Sequence, residues 1–132
     1  MSFEWKHFLD LAQDLVHGHG GGTEGGPGEA ALRTAVSRAY YAAYHAVREY
    51  VTATGGGVPP REDSHKWVWN QLDSKRRRQE GRLKRDGFNL LKARKAADYD
   101  LDSDMNWTKQ AKFCLETSRV ILTLVADIHP KA

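Results

Sequence analysis

The chain has 132 residues, 40% of them hydrophobic and 10% aromatic, which suits one modest core and argues against general disorder. Its formal charge of +3 hides an uneven distribution: Lys75–Arg85 (KRRRQEGRLKR) carries seven basic residues against one Glu, and the rest of the chain is net acidic. The single cysteine, Cys114, excludes an internal disulfide and a thiolate-rich zinc site. Together with an N-terminus that lacks a leader pattern, it sets the expectation of a cytoplasmic protein.

Helical periodicity occurs five times, and no stretch shows sustained strand alternation. The first helix is expected over about Phe3–Val16, with Phe8, Leu11, Ala12 and Leu15 on its apolar face. Seven of the eleven residues in Gly18–Gly28 are glycine, so that segment reads as a flexible loop. A long alanine-rich helix is expected over about Glu29–Thr54, stopped by Gly55–Gly57 and Pro59-Pro60. A third helix is expected over about Glu62–Arg77, then the basic run, broken at Gly81. A fourth helix spans about Gly87–Ala97, and the acidic turn Asp98–Asp104 leads into a fifth, about Trp107–Ile128, capped by Ser103 or Asp104. The expected fold is all-α, a single domain over residues 1–132 built as an antiparallel bundle of about five helices. No apolar stretch approaches the length of a membrane span.

The second helix carries the chemistry. At 100° per residue, Leu32, Val36, Ala39, Ala43, Val47 and Tyr50 share the core side. Arg38, Tyr41, His45, Arg48 and Thr52 form a second stripe on the other side. Arg38 and His45 are seven residues apart, which places them on one face about 10 Å apart along the axis. Arginine offers a planar, permanently charged fork to phosphate oxygens, and histidine moves protons near neutral pH. Cleavage of RNA needs little more, because the ribose 2′-hydroxyl is a built-in nucleophile. The competing account is a solvated helix face that does no chemistry.

Other motifs are weaker. The aspartates at 98, 100, 102 and 104 do not meet the calcium-loop pattern, since the sixth and twelfth positions are wrong from either start. His17 and His19 make a poor two-ligand metal site, and no glycine-rich phosphate loop with a following Lys is present. No metal and no cofactor is expected. Lys75, Arg76, Arg77, Arg78, Arg82, Lys84 and Arg85 are the expected RNA-contacting residues. Arg94 and Asp98 are spaced for a helical ion pair, and Tyr99 is expected to pack under the following turn.

Ser37–His45 (SRAYYAAYH) resembles the SRAYYAxxH core of HEPN domains, and Arg94–Asp100 (RKAADYD) is similar to the RxxADYD segment of one branch of that family. Ser64-His65 fits the same branch, and the likeness runs in order from about Glu29 to Val125. The resemblance implies a HEPN-like bundle and a metal-independent ribonuclease whose Arg–x–His motif, here Arg38 and His45 with six residues between, is catalytic. Arg38 would hold the scissile phosphate, His45 would shuttle the proton, and Tyr41 would orient one of them. It further implies a homodimer that brings two motifs together, action as a toxin or a phage- or stress-defence effector, and a regulatory partner such as an antitoxin or a nucleotidyltransferase. The same branch includes non-catalytic modules that bind a nucleotide or a partner protein. Ala39, where the nucleases often carry a polar residue, fits that alternative.

Overall fold

A computed structural model describes residues 4–17, 28–55, 57, 59–61, 64–100 and 104–129. Five helices are present, α1 (Lys6–Val16), α2 (Glu29–Ala53), α3 (Ser64–Asn70), α4 (Arg78–Tyr99) and α5 (Trp107–Ile128), with no strand among the described residues. The all-α bundle expected from periodicity is therefore the observed architecture. Most of the glycine-rich 18–28 segment lies outside the described residues.

α2 is the central element and touches all four other helices. Its expected core stripe, Leu32, Val36, Ala39, Ala43, Val47 and Tyr50, is buried throughout. Cross-contacts fix the directions. Tyr41 meets Arg94 and Tyr50 meets Glu80, so α4 runs against α2. Trp5 meets His45 and Glu49 while Phe8 meets Arg38, so α1 does too. Arg33 stacks over Trp107, Ser118 donates to the Ala39 carbonyl at 2.7 Å, and Tyr50 meets His129, so α5 lies parallel to α2. The four longer helices thus alternate in direction along the chain, with α2 and α5 packed side by side in the same direction and α1 and α4 running against them. Small residues let α2 and α5 approach: Ala35, Ala39 and Ala43 on α2 and Ala111, Cys114 and Ser118 on α5 are all fully buried. Burial pushes the Cys114 thiol up to about 12, which makes it an inert core side chain.

Four details depart from expectation. α3 is a short helix, and the basic run opens α4 instead of bridging two helices. Gly81 does not break α4. A Cβ there would stand 2.7 Å from the Ser74 Cβ, and at Gly87 it would stand 2.1 Å from the Trp69 ring, so both glycines mark close approaches inside a helix. On α1 the buried residues are Leu9, Ala12 and Val16, and Leu11 is exposed. Of the expected face, Ala12 is fully buried and Phe8 and Leu15 pack partly buried against the core, so the face is shifted toward Leu9 and Val16 and Leu11 falls outside it. Asn106 caps α5 by accepting from the Lys109 amide at 3.1 Å, the role expected of Ser103 or Asp104. The Ser103 alternative falls outside the described residues.

Candidate functional site

The second stripe of α2 is half-covered, not a wet face. α1 runs over it, and the Trp5 indole stacks on the His45 imidazole with ring centroids 4.3 Å apart, held by a hydrogen bond to Glu49. The Arg38 guanidinium lies 5.6 Å over the Phe8 ring. Arg38 and His45 therefore share an aromatic roof supplied by the start of the chain, while Arg48 and Thr52 stay exposed.

Burial under that roof has a chemical consequence. Arg38 Nε and His45 Nδ1 are both buried and have no hydrogen-bond partner among the described residues. Buried polar atoms are nearly always satisfied, so two unspent nitrogens on one helix face need an explanation. Burial, followed by the nearby Arg48 charge, holds the His45 imidazole below its ordinary range. At neutral pH it is therefore a neutral base beside a permanent cation.

Tyr41 connects this pair to a second region. Its ring stacks on His45 at 6.0 Å, and its hydroxyl accepts from Arg94 Nη2 at 2.7 Å, reaching neither Arg38 nor His45. Arg94 Nε lies 2.9 Å from Asp98 Oδ2, an ion pair without hydrogen-bond alignment. The expected pairing of Arg94 with Asp98 is thus present. Tyr99, expected to pack under the turn, is instead 69% exposed, with the Arg94 guanidinium over its ring.

Beyond Tyr44 stands His65, at the start of α3, its ring centroid 4.2 Å from that tyrosine. His65 Nδ1 is 2.7 Å from the Tyr40 hydroxyl, which also accepts from Trp69 Nε1 at 3.1 Å. An indole can only donate, and the buried Tyr40 hydroxyl needs an acceptor for its own proton. Among the described residues His65 Nδ1 is the acceptor within reach, an arrangement that puts the His65 ring proton on Nε2. Burial first, then the Arg94 charge, hold His65 below its ordinary range too. Burial pushes the Tyr40 hydroxyl up, so it stays a donor.

The basic run lies elsewhere. Arg78 and Arg94 are sixteen residues apart on α4, about 24 Å along its axis. Part of the run is occupied. Arg76 binds the buried Glu80 at 2.9 Å, and Glu80 also accepts from the Tyr50 hydroxyl and the Asp73 amide. Burial raises the Glu80 carboxyl, but those bonds outweigh it and hold the group below its ordinary value. Arg82 and Arg85 both approach Asp86, at 3.6 and 3.5 Å. Lys75, Arg77 and Arg78 are exposed and Lys84 is half-buried. Among the described residues no helix is long and apolar enough to cross a membrane.

Sequence reasoning missed Trp5, Tyr40 and the pairing of Tyr41 with Arg94. Each depends on a contact between distant segments, which periodicity cannot report. No family model, no curated protein and no solved structure matches the chain.

Proposed function

We propose that this chain is a HEPN-type, metal-independent endoribonuclease that cleaves single-stranded RNA through Arg38 and His45. The observation that carries the reading is the pair of buried, unpartnered nitrogens, Arg38 Nε and His45 Nδ1, on one face of α2. They join a phosphate-binding cation to a base that is neutral at working pH. In this reaction His45 takes the 2′-hydroxyl proton and the oxygen attacks the adjacent phosphorus. Arg38 offsets the charge that builds on the non-bridging oxygens, and the 5′ oxygen leaves with a proton. The products are a 2′,3′-cyclic phosphate and a 5′-hydroxyl. The proton that leaves with the 5′ oxygen is the one His45 took from the 2′-hydroxyl, and a homodimer that sets two stripes face to face adds a second Arg38 to the same cleft. Tyr41 acts as a positioning residue through its stack on His45. Lys75, Arg77 and Arg78, exposed and without an ion pair among the described residues, attract the RNA backbone from a distance, so binding weakens steeply with salt. Toxicity or defence, restrained by an antitoxin or nucleotidyltransferase partner, is the biological role that this activity would serve.

A second reading is a non-catalytic module that binds a nucleotide or a partner protein. The Trp5 indole over His45 favours it, because the roof hinders entry of a substrate. A substrate test separates the two. The nuclease reading predicts that purified protein in EDTA cleaves single-stranded RNA and leaves the all-2′-deoxy strand of the same sequence intact. Equal loss of both strands, or of neither, removes the proposed mechanism.

A further inference from the structure

A cleft of about 360 Å³ opens between α3 and α4, lined by Arg61, Ser64, His65, Lys66, Leu91, Arg94 and Lys95. Its volume is at the lower end of the range for small-molecule sites. Leu91, Arg94 and Lys95 reach it from one face of α4, at spacings of three and four. Four of the lining side chains carry permanent positive charge and none is a carboxylate. Four like charges around one concavity repel one another, an arrangement that an anion would relieve.

Charge alone would describe a solvated surface, but two of the groups are fixed from behind. The Arg94 side chain is only 14% exposed. Asp98 faces its Nε and Tyr41 occupies its Nη2, leaving Nη1 without a partner among the described residues. His65 is held by the buried Trp69–Tyr40 relay, which spends Nδ1 and leaves Nε2–H as the ring's remaining donor. Exposed Arg61, Lys66 and Lys95 have no ion pair with a carboxylate among the described residues. Oriented donors on a rigid base, ringed by free cations, suit a ligand with several charged oxygens better than a single carboxylate.

We propose that the cleft between α3 and α4 is a phosphate-ester site, in which His65 Nε2–H and Arg94 Nη1 grip the phosphoryl oxygens while Arg61, Lys66 and Lys95 neutralise their charge. The site does not depend on cleavage by Arg38 and His45. It lies on the far side of Tyr41 and Tyr44 from His45, and Tyr41 touches both regions. The phosphate can come from a free nucleotide or from an RNA backbone, and the test has an arm for each.

The experiment follows the imidazole nitrogen NMR signals of His65 in the full chain. The probes are 5′-AMP, a short oligouridylate with a 5′-hydroxyl, and adenosine as the phosphate-free control. The site predicts a saturable shift with at least one phosphate-bearing probe and none with adenosine. A response to 5′-AMP alone assigns the site to free nucleotides, and a response to the oligouridylate assigns it to RNA. In Lys66→Glu/Lys95→Glu, which alters only exposed side chains, the affinity falls about tenfold or more. In Arg38→Ala/His45→Ala the His65 shift persists, even though the nuclease reading has cleavage abolished there. Three results overturn the site: no shift with either phosphate probe at millimolar concentration, an equal shift with adenosine, or unchanged affinity after the double charge reversal.

Discussion

Two buried polar clusters lie against α2, and they are satisfied to opposite degrees. At its C-terminal end Glu80, 1% exposed, receives hydrogen bonds from the Tyr50 hydroxyl, the Asp73 amide and the Arg76 guanidinium. Both carboxylate oxygens of Glu80 are thereby occupied. The cluster pins the turn before α4 to α2. Nearer the middle of the helix, Arg38 and His45 are covered by Trp5 and Phe8 and keep a nitrogen each without a partner. Burial by itself therefore does not single out a candidate site. Two unspent nitrogens on one face of α2 distinguish Arg38 and His45 from the satisfied cluster, whereas Trp107 Nε1, also buried and without a hydrogen bond among the described residues, stands alone on α5.

The sharpest way to break the comparison is to remove the satisfied carboxylate. Glu80→Ala strands the Tyr50 hydroxyl, the Asp73 amide and the Arg76 charge, and should destabilise the chain by about 3 kcal/mol in urea unfolding. His45→Ala should cost far less, because no hydrogen bond is lost. If the two losses are equal, the contrast between the clusters fails.

Trp5→Ala comes next in size. It removes the stacked indole and its bond to Glu49, for a loss of about 1 kcal/mol, and lets water reach His45. The imidazole, held low mainly by burial, should then titrate closer to its ordinary value, which NMR titration reads directly. An unmoved value would mean that the roof does not set the basicity of His45.

A smaller effect is the acid dependence of stability. His45 and His65 are both depressed in the folded state, so the unfolded chain takes up protons first as pH falls through the ordinary histidine value. Stability should be level above about pH 7 and should decline as pH falls through about 6. His45→Phe, which keeps a ring under Trp5, should make that decline shallower. An unchanged slope would show that His45 is not depressed.

The smallest effect belongs to the basic run. Arg82→Gln/Arg85→Gln removes two side chains paired at the surface with Asp86, and should shift stability by no more than about 0.5 kcal/mol. Its effect on the salt dependence of RNA binding should be weaker than that of Arg77→Gln/Arg78→Gln, because Asp86 already offsets the first pair.

Much of this fold was legible in the sequence because helices announce themselves in periodicity. The core stripe of α2 and the glycine stop after it emerged as expected, with Gly55 and Gly57 both at positive φ. Gly81 and Gly87 misled because a glycine that ends a helix and one that admits a neighbour look alike in one dimension. Only the placement of Ser74 and Trp69 tells them apart. The candidate site was legible as a list, since Arg38, Tyr41 and His45 share a helix face. Its surroundings were not. Trp5 comes from forty residues away, and the Trp69–Tyr40–His65 relay joins two helices through a contact no local pattern encodes.

The most direct measurement of the central claim is RNA cleavage in EDTA by wild type, Arg38→Ala and His45→Ala, each shown to be folded by circular dichroism. The account predicts products ending in 2′,3′-cyclic phosphate from the wild type, and loss of cleavage by a factor of at least about 100 in either variant. Cleavage that survives in folded His45→Ala would contradict it.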